Sequence, residues 1–445
     1  MAQSELTLES LAARVVDLTT TLTTALQERN SPQPSFSEDA PELLSPAPEV
    51  QGPRLQLVET LTKMLHLATG PTEYLIQQCL LPNADGLILD FLNRFDIWHL
   101  VPLKGSSSYA EIAAAIQLPE VTVRRFLKQA FTMFFFLEEA PGSDRIVHSA
   151  ASAYVARDAA RTAFIGHCME DVRPAAAVGV DALQKFYVGH KTHSEEEEHC
   201  PQYLASDRGK VRGKAYWEFA ESYEEPGRPK GYRAERFALA MKALSQTQLT
   251  AQVLEKFDWE SLGNATVVDV GGSTGHISLL LAKAHPKLKL IVQDFPDVES
   301  SFNEVITTTE YASRISFNAY NFFEPQTLTA DAYLFKSIFH DWSDKYVVQI
   351  LRNLLPVLKS GVHIIIFDNI IPPDHDEQGK PVVPLSTRRL LGAVDLQMFV
   401  NHNSKERKAS DWTEVVKRAD SRFDLKGFYT VVGSPMGIID IVFNA

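Results

Sequence analysis

The sequence predicts an α/β chain, with a doubly wound parallel sheet over residues 251–445 behind a mostly helical N-terminal part. After residue 251, short β-rich and nearly continuous apolar runs recur at Val267-Val-Asp-Val, Leu290-Ile-Val-Gln, Ala332-Tyr-Leu-Phe and Val362-His-Ile-Ile-Ile-Phe. Strands covered on both faces look like this. Helical segments such as Ile277–His285 and Lys345–Leu358 separate them, the alternation of a doubly wound sheet. Before residue 251 the apolar spacing is helical almost throughout.

In chain order, the first stretch is 1–53. Leu6, Leu8, Leu11, Val15, Leu18, Leu22 and Leu26 recur mostly at intervals of three and four, which predicts an amphipathic helix. Residues 29–53 carry Pro32, Pro34, Pro41, Pro46, Pro48 and Pro53 among Ser and acidic residues, the composition of a flexible linker. Residues 54–160 read as a winged-helix-like domain. Two short helices meet at Leu118-Pro119, and Phe134-Phe-Phe-Leu and Arg145-Ile-Val-His flank the Pro141-Gly142 turn of a hairpin. The second helix offers Arg124, Arg125 and Lys128 to a phosphate backbone, but Glu111, Glu120, Glu138, Glu139 and Asp144 offset them, so packing or dimerisation is the expected role. Residues 161–250 read as a helical connecting and substrate-lining region, and 251–445 as the ligand-binding domain.

Composition excludes several classes. Apolar residues make up 45% and charged residues 22% of 445, ordinary for a soluble globular chain. A formal net charge of −13 gives no basic patch for nucleic acid. Cys79, Cys168 and Cys200 are too few and too scattered for a disulfide framework. No basic start with an apolar run opens the chain, and no apolar run reaches the ~18 residues of a membrane span. A cytoplasmic chain without membrane contact is expected. His190, His193, His199 and Cys200 are metal-ligand types, but their spacing matches no familiar zinc pattern, and the glutamate run between them reads as a solvated face, so no metal is expected.

The strongest chemical signal is Asp269-Val-Gly271-Gly272-Ser273-Thr274-Gly275, where a strand ends, glycines bend the backbone and a helix begins. Glycine lets backbone approach a ligand where a Cβ would collide. Ser273 stands where a dinucleotide fingerprint needs its second glycine, and the Gly-Lys of a P-loop is absent. Asp269 beside the bend suits a cationic ligand, a sulfonium or an ammonium, better than a pyrophosphate. Asp294 ends the next strand about twenty residues on, where such sheets place a carboxylate on ribose hydroxyls; a strand-end cap is the lesser alternative. His340, in Phe339-His-Asp-Trp-Ser, falls just past a strand at the ligand-binding edge and can accept a proton near neutral pH. Asp368 ends another strand, and Glu406 follows in Lys405-Glu-Arg407; a carboxylate beside the imidazole would fix its tautomer, although each alone fits a surface charge.

Taken together, Asp-Val-Gly-Gly-Ser-Thr-Gly, Gln-Asp-Phe-Pro, Phe-His-Asp-Trp-Ser-Asp and Lys-Glu-Arg, in that order, resemble the caffeate-type O-methyltransferases, especially their fungal relatives in secondary metabolism. The resemblance spans roughly residues 60–445, with its motifs in 266–412. It implies a Rossmann-like class I methyltransferase fold, a winged-helix domain used for homodimerisation, and S-adenosylmethionine as cofactor. It implies His340 as general base flanked by Asp368 and Glu406, the first of which is commonly glutamate in the family. Gly271 and Gly272 would approach the cofactor's amino-acid end, Asp294 its ribose, and Asn321 and Phe322 its adenine, Asn321 standing where an aspartate is usual. Lys336 matches a cofactor-contacting lysine, and Phe237, Met241 and Asn401 match positions near the acceptor, a small aromatic or polyketide-type molecule. Some fungal members of this fold act instead as pericyclases or dehydratases, and the sequence leaves that alternative open.

Overall fold

The computed structural model describes residues 6–206, 215–224, 226–245, 249–431 and 434–445; parts of the expected substrate-lining region lie outside these. The chain divides into two compact units. One comprises Met1–Pro174, Ala220–Leu244 and Val383–Arg389, the other Ala175–Phe219, Ser245–Val382 and Leu390–Ala445.

In the first unit, helix α1 (Leu8–Glu28) starts at a capping box formed by Thr7 and Ser10. Its Leu11, Leu18, Leu22 and Leu26 are buried, and the last two cluster with Val50 and Leu57 of α2 (Pro48–Arg94). α2 is broken at Gly70, whose φ of 69° no helix accommodates. The segment expected as a flexible linker differs from that reading: α2 already begins at Pro48, and Phe36 stacks on Phe134 with centroids 4.8 Å apart. Proline is tolerated in a first helical turn, where its missing N–H has no partner to lose. Helices α3 (Tyr109–Ile116) and α4 (Glu120–Thr132) and a small sheet of β1 (Ser107–Ser108), β2 (Phe136–Glu138) and β3 (Arg145–His148), in the order β1-β3-β2, make the winged-helix arrangement. Arg124 of α4 is ion-paired with Glu120 and Asp144 at 2.6 and 2.7 Å. A π-helical turn, His167–Val172, buries Glu170 and Asp171 against Arg236 of α5 (Tyr232–Ser245), and Asp171 also pairs with Arg233.

The second unit is built on one sheet. Its strands are β4 (Thr266–Val270), β5 (Lys289–Asp294), β6 (Ile315–Ala319), β7 (Ala332–Lys336), β8 (His363–Ile371), β10 (Phe423–Thr430) and β11 (Met436–Phe443), with the two-residue β9 (Arg407–Lys408) paired to the end of β8. The order is β10-β11-β8-β7-β4-β5-β6; β4 to β8 run parallel, while β11 and β10 close the edge antiparallel. Alternate residues feed two cores. Val268, Tyr333, Phe335 and Ile366 pack with α7 (Asp344–Asn353, after α6, His276–Ala284) and with Trp412 of α9 (Ala409–Ala419, after α8, Leu385–His402). Val267, Leu334, Ile365 and Phe367 pack with Ile277 and Leu281 of α6. Each such fully buried large side chain is worth about 1.5–3 kcal/mol. The chain leaves β4 toward β5 and β6 on one side and returns as β7 and β8 on the other, so the order reverses between β4 and β7. Such sheets bind ligands at that reversal, at the carboxyl ends of the strands. Among the described residues no helix is long and apolar enough to cross a membrane. The glutamate run expected as a solvated face instead grips α7: Glu195 accepts from the Lys345 N–H at 2.8 Å in its first turn, and Glu196 pairs with the Lys345 ammonium at 2.8 Å.

Candidate active site

The reversal point brings two turns together. After β4, Gly271 holds φ at 70°, and a Cβ there would sit 2.5 Å from Cδ1 of Ile338. A Cβ at Gly272 would lie 2.7 Å from the carboxyl carbon of Asp269. Glycine is therefore required at both positions. Asp269 is buried beneath the bend, where Oδ2 accepts from the Ser278 hydroxyl at 2.8 Å and Oδ1 has no donor among the described residues. Burial pushes its carboxyl up to about 6, the Ser278 hydroxyl pulling the other way. Asp294, at the end of β5, accepts from the Ser273 N–H at 2.9 Å and the Phe295 N–H at 2.8 Å, fastening the bend to the next strand, and burial raises its carboxyl too. Asn321 accepts from the Phe323 N–H at 3.0 Å and so caps the turn after β6, and the Phe322 ring reaches to 3.9 Å from the position a Gly271 Cβ would take. Lys336 ends β7 with its ammonium 3.4 Å from the Ser245 hydroxyl; burial lowers its pKa against the pull of Asp368, Asp269 and Asp341.

After β7, Ser337 turns the chain with φ of 52° and Phe339 is driven into the core. This fixes His340. Its N–H donates to Asp368 Oδ2 at 3.1 Å, and its carbonyl accepts from the Ser404 hydroxyl at 2.5 Å. Arg407, 1% exposed, donates to the carbonyls of Phe339 and Trp342, both at 2.7 Å, and pairs with Asp344 at 2.8 Å. The pairing of β9 with β8 sets Arg407 opposite Ile370, which delivers Glu406 beside Asp368 and Asn369. Glu406 Oε1 then lies 3.0 Å from His340 Nδ1 and accepts from the Asn369 amide at 2.9 Å, while Asp368 Oδ1 stands 3.7 Å from the same ring nitrogen. The imidazole keeps 18% of its side-chain surface accessible against 1% for either carboxylate, so the ring is reachable and the two acids are not.

Burial disfavours the imidazolium, yet Asp368, Asp341 and Glu406 outweigh it and raise His340 to about 10. Glu406 is held below the usual carboxylate range because His340 and the Asn369 amide overcome its burial; Asp368, with less help, is raised by burial. His340, Asp368 and Glu406 also offer donor atoms within 4.8 Å of one another, the one such group of metal-ligand types among the described residues.

The expected site residues thus fall into three places. The first is the glycine bend with Asp269, Asp294, Asn321, Phe322 and Lys336. The second is the His340, Asp368 and Glu406 cluster, with Asn401 nearby in sequence on α8, 2% exposed and its Oδ1 without a donor among the described residues. Phe237 and Met241 lie on α5, described with the first unit, where Phe237 meets His167 edge-on at 5.3 Å. Sequence reasoning missed Asp341, His402, Asn369 and Arg407 as parts of the surroundings of the His340 ring; Asp341 and Arg407 stand in the same motifs, adjacent to His340 and Glu406. The orphaned Oδ1 of Asp269, the Cβ-free bend and the aromatic face of Phe322 fit a nucleoside with a cationic amino-acid tail. His193 and His199, weighed as metal-ligand types, stack on Tyr187 and Phe186 at 4.7 and 4.5 Å.

Residues 211–422 match the O-methyltransferase domain family. The grayanic acid biosynthesis cluster O-methyltransferase of Cladonia grayi is 33% identical over 437 residues, 98% of this chain and 87% of that protein. Among solved structures, OxaC in complex with sinefungin and meleagrin is similar with a TM-score of 0.75 and 19% identity, over 97% of this chain and 99% of that one. A structure described as a pericyclic reaction enzyme is similar with a TM-score of 0.72 and 17% identity, over 99% and 100%. At those identities the two structures speak for the fold.

Proposed function

The chain belongs to the O-methyltransferase family and takes S-adenosylmethionine as methyl donor, and from that premise we propose that His340 removes the proton from a hydroxyl of a small aromatic or polyketide-type secondary metabolite as that oxygen is methylated. The observation that carries this reading is the 3.0 Å contact of His340 Nδ1 with Glu406 at the sheet's reversal point. A proton held on Nδ1 by that carboxylate leaves Nε2 as the accepting nitrogen. The cofactor supplies a methyl group made electrophilic by a cationic sulfur. The chain binds, orients and deprotonates. Asp294 serves the ribose hydroxyls, Gly271, Gly272 and Asp269 the amino-acid end, Asn321 and Phe322 the adenine, and Lys336 the cofactor's surroundings. Asp368 holds the backbone of His340 in place. Asn401, Phe237 and Met241 are proposed to contact the acceptor. A phenol near pKa 10 gains most from a positioned base in a dry site. The Cladonia relative, named for a grayanic acid biosynthesis cluster, supports a secondary metabolite as the acceptor. A homodimer is proposed from the family resemblance together with the apolar side chains α2 exposes.

The test is a pair of variants assayed with labelled S-adenosylmethionine against a panel of phenolic polyketides. His340→Gln should lose methyl transfer by roughly 10²–10⁴ while calorimetry finds cofactor affinity nearly unchanged. Asp294→Ala should weaken cofactor binding instead. Acceptor turnover without S-adenosylhomocysteine would replace this reading with the pericyclase alternative, and full activity in His340→Gln would remove its base.

A further inference from the structure

Along β5, Leu290 and Val292 feed the core under α6, and Gln293 stands on the alternate face at 1% exposure. Its amide meets that of Gln326, also 1% exposed. Gln326 Nε2 donates to Gln293 Oε1 at 2.8 Å, while Gln293 Nε2 donates to Gln326 Oε1 at 3.2 Å and to Asn318 Oδ1 at 2.8 Å. Gln326 Oε1 also accepts from the N–H groups of Thr327 and Leu328 at 3.1 and 3.0 Å. Buried amides are costly unless matched in this way, and an apolar pair would fill the space without that condition. The main chain of Gln293 has a second task. Its carbonyl accepts from the Gly271 N–H at 2.7 Å and the Gly272 N–H at 3.3 Å, which fastens the glycine bend to β5. Gln326 belongs to the irregular connection 320–331 between β6 and β7, which carries Asn321 and Phe322. A second anchor of that connection is Asn353 at the end of α7, whose carbonyl accepts from the Gln326 N–H at 2.8 Å and whose amide donates to the Phe322 carbonyl at 3.0 Å. One residue therefore grips two turns, the glycine bend through its backbone and the turn after β6 through its side chain.

We propose that Gln293 is a positioning residue that fixes the distance between these two turns, with Gln326 as its partner. This rests on the proposed placement of the cofactor, its amino-acid end at Gly271 and Gly272 and its adenine at Asn321 and Phe322. A ligand that engages two sites at once is held tightly only when their spacing matches its own span. S-adenosylmethionine spans both turns, so their spacing acts on its affinity although the two amides are spent on each other and on Asn318. No strand ladder sets the place of the 320–331 connection, so the amide pair does.

The test is a double-mutant cycle of Gln293→Met and Gln326→Met, read by the unfolding midpoint in denaturant and by calorimetry with S-adenosylhomocysteine. Each single variant leaves an unmatched buried atom on the partner amide. It should lower both the midpoint and the affinity, the affinity by about tenfold or more. The double variant removes both amides and keeps similar volume, so the midpoint should return toward that of the unaltered chain while the affinity stays about tenfold down. A purely structural pair moves the two readouts together. Affinity that recovers with the midpoint, or that is unchanged in all three variants, overturns the proposal. If the double variant does not fold, Gln326→Glu decides by affinity: it keeps an oxygen for Thr327 and Leu328 but sets another against Gln293 Oε1, and unchanged affinity there overturns the proposal as well. Asp294→Ala separates this inference from the reading beneath it. Unchanged affinity in Asp294→Ala beside a loss in Gln293→Met would sink the cofactor placement and leave the effect of the amide pair on binding standing.

Discussion

His340 carries an unusual charge problem for its proposed role as a base. Three carboxylates within 3.7 Å hold it at about 10, so at rest near neutrality it is an imidazolium that cannot accept a proton. Two consequences can be measured. The folded chain binds this proton more tightly than the unfolded chain, whose histidine titrates near 6.5. The stabilisation is therefore complete below about pH 6.5 and is lost as pH rises through about 10. Thermal melts of His340→Gln should fall less steeply over that window than those of the unaltered chain, and parallel pH dependences would contradict the assignment. The second consequence concerns arming. A second cation held in the same site disfavours the imidazolium. S-adenosylmethionine, but not the uncharged sulfur of S-adenosylhomocysteine, should lower the apparent pKa of His340 in an NMR titration. Equal titrations with the two ligands would show that the sulfonium does not reach this nitrogen's field.

At the scale of elements, what the sequence disclosed followed burial. β4, β5, β7 and β8 are central and covered on both faces, and their apolar runs are legible as such. β6 and β10 lie at the sheet edges, and only Ile315 of β6 is buried, so no continuous run marks it. β9 has two residues and no propensity signal at all, yet its pairing with β8 delivers Glu406 to the imidazole. The cluster of His340, Asp368 and Glu406 was therefore named through family resemblance and strand ends. The approach of His402 to Asp341, at 3.5 Å, depends on how α8 stops and was invisible. The device that holds this junction is Arg407, and its burial makes a contrast testable. Arg407→Met removes two carbonyl bonds and a buried ion pair, and should cost about 3–5 kcal/mol of unfolding free energy. Lys405→Ala removes the ammonium 3.0 Å from the same Asp344, but its side chain is 46% exposed, and the loss should stay under about 1 kcal/mol. Similar midpoint shifts for both in denaturant titrations would contradict the view that Arg407 anchors the turn.

On the scale of the whole molecule, the −13 charge and the exposed apolar surface point in different directions. A charge of that size keeps chains apart in solution. α2 nonetheless presents Leu61, Leu65, Leu75, Ile76, Leu80 and Leu81 at exposures of 43–64%, far more apolar surface on one helix than scattered surface residues explain. α1 does not cover these residues, which stay exposed although its Leu22 and Leu26 pack near the start of α2, around Val50 and Leu57. A second copy of the chain is the proposed cover, since two identical apolar faces can bury each other around a two-fold axis without needing opposite charge. Paired substitutions Leu65→Glu and Leu80→Glu should convert a dimer into a monomer in sedimentation velocity at micromolar concentration. Cofactor binding, proposed at the other unit's glycine bend, should be retained in that variant. A sedimenting mass unchanged by the paired substitution, or a monomer before it, would leave those leucines to another partner.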